Sequence, residues 1–172
     1  MNLQPGVTGA AKFSPSGAFR YWLDRRWDTS LPMCCWIMLN PSTANAIEDD
    51  PTVRRCQGYA RTWGYGGLTV VNLFALCATD PAGLRVGATV ADPVGPRNDE
   101  HILMLARIAK LTVCAWGVHG AYLGRGEAVR HLLAGIPLHV LGLTAGGHPK
   151  HPLYLKRELQ PQLWLPAQTE VA

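Results

Sequence analysis

The sequence predicts an α/β fold: a three-layer sandwich around a central four-stranded parallel sheet. Three observations carry this. Four apolar, β-prone runs lie between helix-like segments. None of these runs alternates cleanly between apolar and polar residues, as suits strands buried on both faces. Alternation of strands and helices, in turn, implies right-handed crossovers and a parallel sheet covered on both sides.

The elements follow in order. Residues 1–17 are loop-like and read as an N-terminal arm. "AFRYWLDRRWD" (18–28) alternates aromatic and charged residues and reads as a strand or hairpin arm on a sheet edge. The first core strand is "CCWIMLN" (34–40), followed by the turn "PSTAN". Asp50-Pro51 opens a helix running to about Trp63, with a side-chain cap and a proline in the first turn. The second strand is "LTVVNLFA" (68–75). A loop rich in Pro, Gly and Asp fills 79–97, and Asn98-Asp99-Glu100 starts a second helix with a wide apolar face. "LTVCAWG" (111–117) is the third strand, residues 126–134 a third helix, "LHVLGL" (138–143) the fourth strand, and "PLYLKREL" a short last helix. Residues 18–160 thus form one domain, and 161–172 a C-terminal tail.

The totals bound the function. The chain has 172 residues, 48% hydrophobic and 16% charged, enough for one domain with a substantial core. The net charge of +4 tolerates a polyanionic partner without demanding one. There is no apolar leader and no run of about 20 apolar residues, so a cytoplasmic protein without membrane attachment is expected, and a monomer. Five cysteines without metal spacing read as reduced, mostly buried thiols. No phosphate-binding glycine loop, GxSxG or HExxH is present, and no metal or cofactor is expected.

In a parallel α/β sheet, ligands bind beyond the carboxyl ends of the strands. The first strand delivers Asn40, Pro41, Ser42 and Thr43 there. The second carries Asn72, an amide inside an apolar run; the third ends in Trp116 and Gly117, with Val118 and His119 next. The fourth leads to "TAGGHPKHPLY", with His148, Lys150 and His151. Each has a plain structural reading as turn residue, core aromatic or surface group. Together they favour a polar site. Glu48, Asp49 and Asp50 sit beside the first loop, as bases, metal ligands or groups favouring a helix N-terminus.

"RYWLDRRW", "IMLNPSTAN", "DDPTVRRC", "WGYGGLTVVNLFA", "ATDP", "CAWG" and "GHPKHPLYL" resemble, in order, the bacterial and phage family of unknown function whose domain number is sixteen forty-three. The resemblance covers about residues 13–157. Cys77 stands where that family usually shows arginine. More distantly, the motif order resembles the uracil-DNA glycosylase superfamily. That resemblance implies a glycosylase-like fold and hydrolysis of an N-glycosidic bond in a nucleotide or nucleic acid. It implies Asn40 as the residue positioning the water, Asn72 as the reader of the base edge, and His148 as the group stabilising the leaving base, with His151 as the other candidate. Leu153 corresponds to the wedge, while Lys150 and His151 would meet phosphate. Met38 departs from the superfamily's glycine, and Lys150 stands where serine is expected. A base-binding module without turnover and a small-molecule enzyme unrelated to nucleic acid remain the alternatives.

Overall fold

A computed structural model describes residues 1–78 and 92–165. Among them are seven strands: β1 (Thr8–Phe13), β2 (Arg20–Arg26), β3 (Met33–Met38), β4 (Gly67–Asn72), β5 (Leu111–Cys114), β6 (Leu138–Val140) and β7 (Gln162–Leu163). The helices are α1 (Pro51–Thr62), α2 (Asn98–Ile108) and α3 (Arg125–Leu132).

The strands form one mixed sheet in the order β1-β2-β4-β3-β5-β6-β7. The expected four-stranded parallel sheet is therefore corrected to a seven-stranded mixed one. The contacts of β3 with β4, β3 with β5 and β5 with β6 are parallel; β1–β2, β2–β4 and β6–β7 are antiparallel. The sequence reading missed β1 because "TGAAKF" is an edge strand of small and polar residues, alternately exposed and half-buried. Its stability comes from pairing with β2 rather than from its own pattern. β7 escaped for the same reason: its two residues are both exposed.

Period-two alternation divides the side chains of β3 between two cores. Cys34, Trp36 and Met38 meet α1 through Cys56, Tyr59 and Ala60 on one face. Cys35, Ile37 and Leu39 meet Ile102 and Ala106 of α2 and Val129 of α3 on the other. Trp36 is the largest of these, stacked on Trp63 with ring centroids 5.6 Å apart. Four cysteines are buried and Cys77 half-buried, all as free thiols. Burial pushes the Cys34 thiol up to about 12, so it packs as a small apolar side chain.

Helix α1 starts as the sequence implies: Asp50 Oδ1 accepts the Val53 N–H at 2.7 Å, and Pro51 occupies the first turn. The expected last helix shrinks to a 3₁₀ turn, Pro152–Tyr154, because Leu155 returns to extended backbone. Most of the 79–97 loop lies outside the described residues. No helix among the described residues is long and apolar enough to cross a membrane.

Candidate functional site

The carboxyl end of β3 stops at a proline, which cannot donate to a neighbouring strand. The ladder with β4 continues one step past the strands, Leu73 N–H to Met38 O and Phe74 N–H to Leu39 O, before the chains part. Asn40 spans the gap. Its amide nitrogen donates to Pro41 O (3.0 Å) and Ala78 O (2.7 Å). With the N–H groups committed, the Asn40 side chain offers its carbonyl oxygen, an acceptor, to whatever lies beyond.

The loop after Asn40 is held from beneath by Arg25. This buried guanidinium donates to Asp49 Oδ1 (2.7 Å) and to the carbonyls of Asn45 (2.6 Å) and Glu48 (2.8 Å). Gln57 satisfies the other Asp49 oxygen at 2.9 Å. Asp49 is thus an interior counter-ion and Asp50 a helix cap. No group of three or more potential metal ligands occurs among the described residues.

On β4, Asn72 shares its parity with Leu68 and Val70, so it faces the α1 side beside Met38, its partner in register. It is 1% exposed, and neither Nδ2 nor Oδ1 has a partner among the described residues. Its backbone is pinned from the opposite side of the sheet. Asn98 Nδ2 donates to Asn72 O (2.9 Å) and Leu73 O (3.1 Å), and Arg125 Nε to Leu73 O (2.8 Å). A buried amide without a partner costs about 1–3 kcal/mol, so its presence calls for a compensating role.

Asn40 and Asn72 line one cleft of ≈ 540 Å³, together with Ser42, Trp116, Gly117, His119, His151 and Leu153. Asp50, a candidate base or metal ligand in the sequence, lines it too, as do Arg20 and the 89%-exposed Tyr154, which the sequence does not mark as site residues. Arg20 donates to Ala44 O at 2.5 Å, while its Nε is buried without a partner. Burial pulls its pKa down to about 10, against the pull of nearby Asp50, so it stays a cation at neutral pH. An arginine set among the aromatic residues of a strand was the sequence signal available for it.

Of the two histidines in the loop after β6, His151 lines the cleft, as His119 also does, and His148 does not. His151 Nδ1 accepts the Leu153 N–H at 3.4 Å, which leaves the proton on Nε2. Burial lowers its pKa and Asp50 partly offsets this, so the ring is neutral at pH 7 and donates through Nε2–H. His148 lines a separate hollow of ≈ 210 Å³ with Gly120, Glu127 and Trp164. Trp116 forms the wall between the two and is 2% exposed, packed edge-on to Trp164 at 5.6 Å. It is core rather than a free stacking face. Pro41 is buried, and Thr43 and Lys150 are exposed; none of the three lines the cleft. Ser42 and His151 share no hydrogen bond, so these two do not form a preassembled nucleophile–base pair. It offers instead donors from Arg20 and His151, an acceptor from Asn40, a carboxylate from Asp50, and the two-sided amide of Asn72.

A family model described as "Protein of unknown function (DUF1643)" matches residues 20–153. The chain belongs to the DUF1643 family. The matched span runs from Arg20 through His151 to Leu153, so every side chain of the DUF1643 cleft named above except Tyr154 falls inside it. No curated protein and no solved structure gives a significant match.

Proposed function

We propose that the cleft binds a nucleobase, within a nucleotide or nucleic acid, and hydrolyses its N-glycosidic bond in the manner of a DNA glycosylase. The observation that carries this reading is the Asn72 amide. It holds a donor and an acceptor side by side in the cleft wall, both buried and without partners among the described residues. That pattern complements the amide-like edge of a base, and satisfying it is worth most where water is excluded. The cleft volume suits a ligand of this size.

The remaining groups fit the charge changes of the reaction. Asn40 Oδ1 accepts a hydrogen bond from a water and aims its oxygen at the anomeric carbon. The carbon–nitrogen bond breaks, and its electron pair leaves on the base. His151 Nε2–H donates to the base oxygen where negative charge builds. Asp50 stabilises the positive charge on the sugar, and takes the proton the water gives up. Asn40 cannot take that proton itself, being an amide.

That last point favours a second reading, a binding module that recognises a base without turnover. A screen of modified oligonucleotides and free nucleosides, read for base release and for binding, separates the two. We expect base release, with His151→Ala slowing it about 10²-fold, as for loss of an oxyanion donor. Binding that depends on Asn72 without release supports the module. Neither binding nor release across the panel overturns both.

A further inference from the structure

A second concavity of ≈ 490 Å³ runs along the outer face of α1, lined by Arg54, Arg55, Arg157, Tyr59, Pro51 and Leu153 among others, and by no carboxylate. Its helical members recur at a turn's spacing and so share one face. Gly58 leaves its floor open, since a Cβ there would meet nothing within 4 Å. The guanidiniums are partly fixed already. Arg54 donates to Asn2 O at 2.5 Å and lies 3.6 Å from Asp49, and Arg55 donates to Leu155 O and sits 5.3 Å from the Tyr59 ring centroid. The Arg54 Nε faces Asp49 in that ion pair, and the Arg55 Nε is buried without a hydrogen-bond partner among the described residues. Arg157 is exposed and makes no hydrogen bond or ion pair with the described residues.

The groove adjoins the cleft. Leu153 lines both, and Pro51 of the groove stands between Asp50 and Thr52 of the cleft. Tyr154, beside Leu153, presents an open aromatic face at their boundary. From Pro51 to Thr62 the helix extends about 16 Å at 1.5 Å per residue, several times the roughly 3.4 Å axial spacing of phosphates in one strand. Arg54 and Arg55 occupy consecutive positions within that length and Arg157 lines the same groove, and guanidiniums gathered on a groove longer than one phosphate suit a phosphodiester strand.

We infer that this groove takes the phosphodiester backbone of a nucleic-acid strand whose target nucleotide enters the cleft. The inference rests on the nucleobase reading above. It makes a strand, rather than a free nucleoside, the substrate, with Arg54, Arg55 and Arg157 pairing with its phosphates.

The test is fluorescence anisotropy of a labelled 12-nucleotide single strand, titrated at several salt concentrations, beside calorimetry with the free nucleoside. Arg157→Gln breaks no hydrogen bond within the described fold, and thermal melting verifies that Arg55→Gln/Arg157→Gln is folded. We expect the double variant to bind the strand about tenfold more weakly. The slope of log K against log salt should fall by about 0.7 for each phosphate that is no longer neutralised. Nucleoside affinity should be unchanged. Strand affinity and salt slope equal to the parent's overturn the inference. So does arginine-dependent binding of a nucleoside triphosphate without binding of the strand. Asn72→Ala separates the two proposals. Strand binding abolished in the arginine variants but untouched by Asn72→Ala keeps the groove and refutes the cleft; the reverse keeps the cleft and refutes the groove.

Discussion

Replacing Asn72 by leucine should make the protein more stable and unable to bind its ligand. Asn72 is 1% exposed, and both its side-chain polar atoms lack partners among the described residues. Leucine has the same branching and no polar atoms, and its neighbours in the α1-side core are apolar: Met38, Val53 and Val70. Removing a buried unsatisfied amide returns about 1–3 kcal/mol. For a domain of this size each kcal/mol shifts the melting temperature by about 2–4 °C, so a rise of about 2–12 °C is expected. The backbone bonds from Asn98 to Asn72 O do not involve the side chain and should survive. Differential scanning calorimetry gives the melting shift, and isothermal titration with a bound nucleoside or oligonucleotide gives the affinity. Asn72→Ala serves as the control, losing affinity by the same logic while leaving a small cavity. A leucine variant that melts below the parent by several degrees would refute the reasoning, because Asn72 would then be held by structural hydrogen bonds. Unchanged affinity would remove it from the site.

Two further outcomes follow from the same geometry. Arg25→Leu, with Asp49 left in place, should cost about 3–5 kcal/mol in urea denaturation, since it strands a buried carboxylate and two loop carbonyls; a loss below about 1 kcal/mol would mean the clamp is not sealed from water. His101 and His151 both have pKa values lowered from 6.5, chiefly by burial. Depressed values bind fewer protons in the folded state, so their contribution is full above about pH 6.5 and is lost as pH falls through the lowered folded values. Melting temperature should fall between pH 7 and 5, and less so in His101→Gln/His151→Gln; an identical fall in that variant would assign the effect to other groups.

Much of the site was legible because strands carry parity and helices carry caps. Asp50-Pro51 marked the start of α1 to the residue. Asn72 stood out as an amide in an apolar run, and the run's position in the sheet brought it to the same edge as Asn40. The histidines resisted, because a loop has no period from which facing can be read. The structure decides between them through main-chain bonds. Gly117 N–H donates to Pro149 O, and Lys150 N–H to Gly142 O, folding the loop back on itself. His151 then becomes the cap of the following turn and its ring tucks inward, three residues beyond the imidazole favoured by motif alignment. Arg20 escaped for a different reason. A charged residue in a run that reads as a sheet edge is expected to face water, but β2 lies between β1 and β4, and the buried guanidinium is held by the carbonyl of Ala44, 24 positions away. Likewise β1 and β7 exist through their partners rather than through any pattern of their own.

The double-sided burial of β3 has a consequence for how the chain finds its alignment. An ordinary half-exposed strand is kept in register by its polar side, because slipping one position would drown charges and expose oil. β3 has no such side: Cys34 to Leu39 are apolar on both faces. A slip by one residue would exchange two greasy sets, and hydrophobicity alone would hardly object. Bulk objects instead. The indole of Trp36 fits the aromatic slot made by Tyr59 and Trp63, and the opposite face is packed around the smaller Cys35, Ile37 and Leu39. One oversized side chain thus acts as the key that admits a single threading of the central strand, and steric fit performs the proofreading that polarity performs elsewhere.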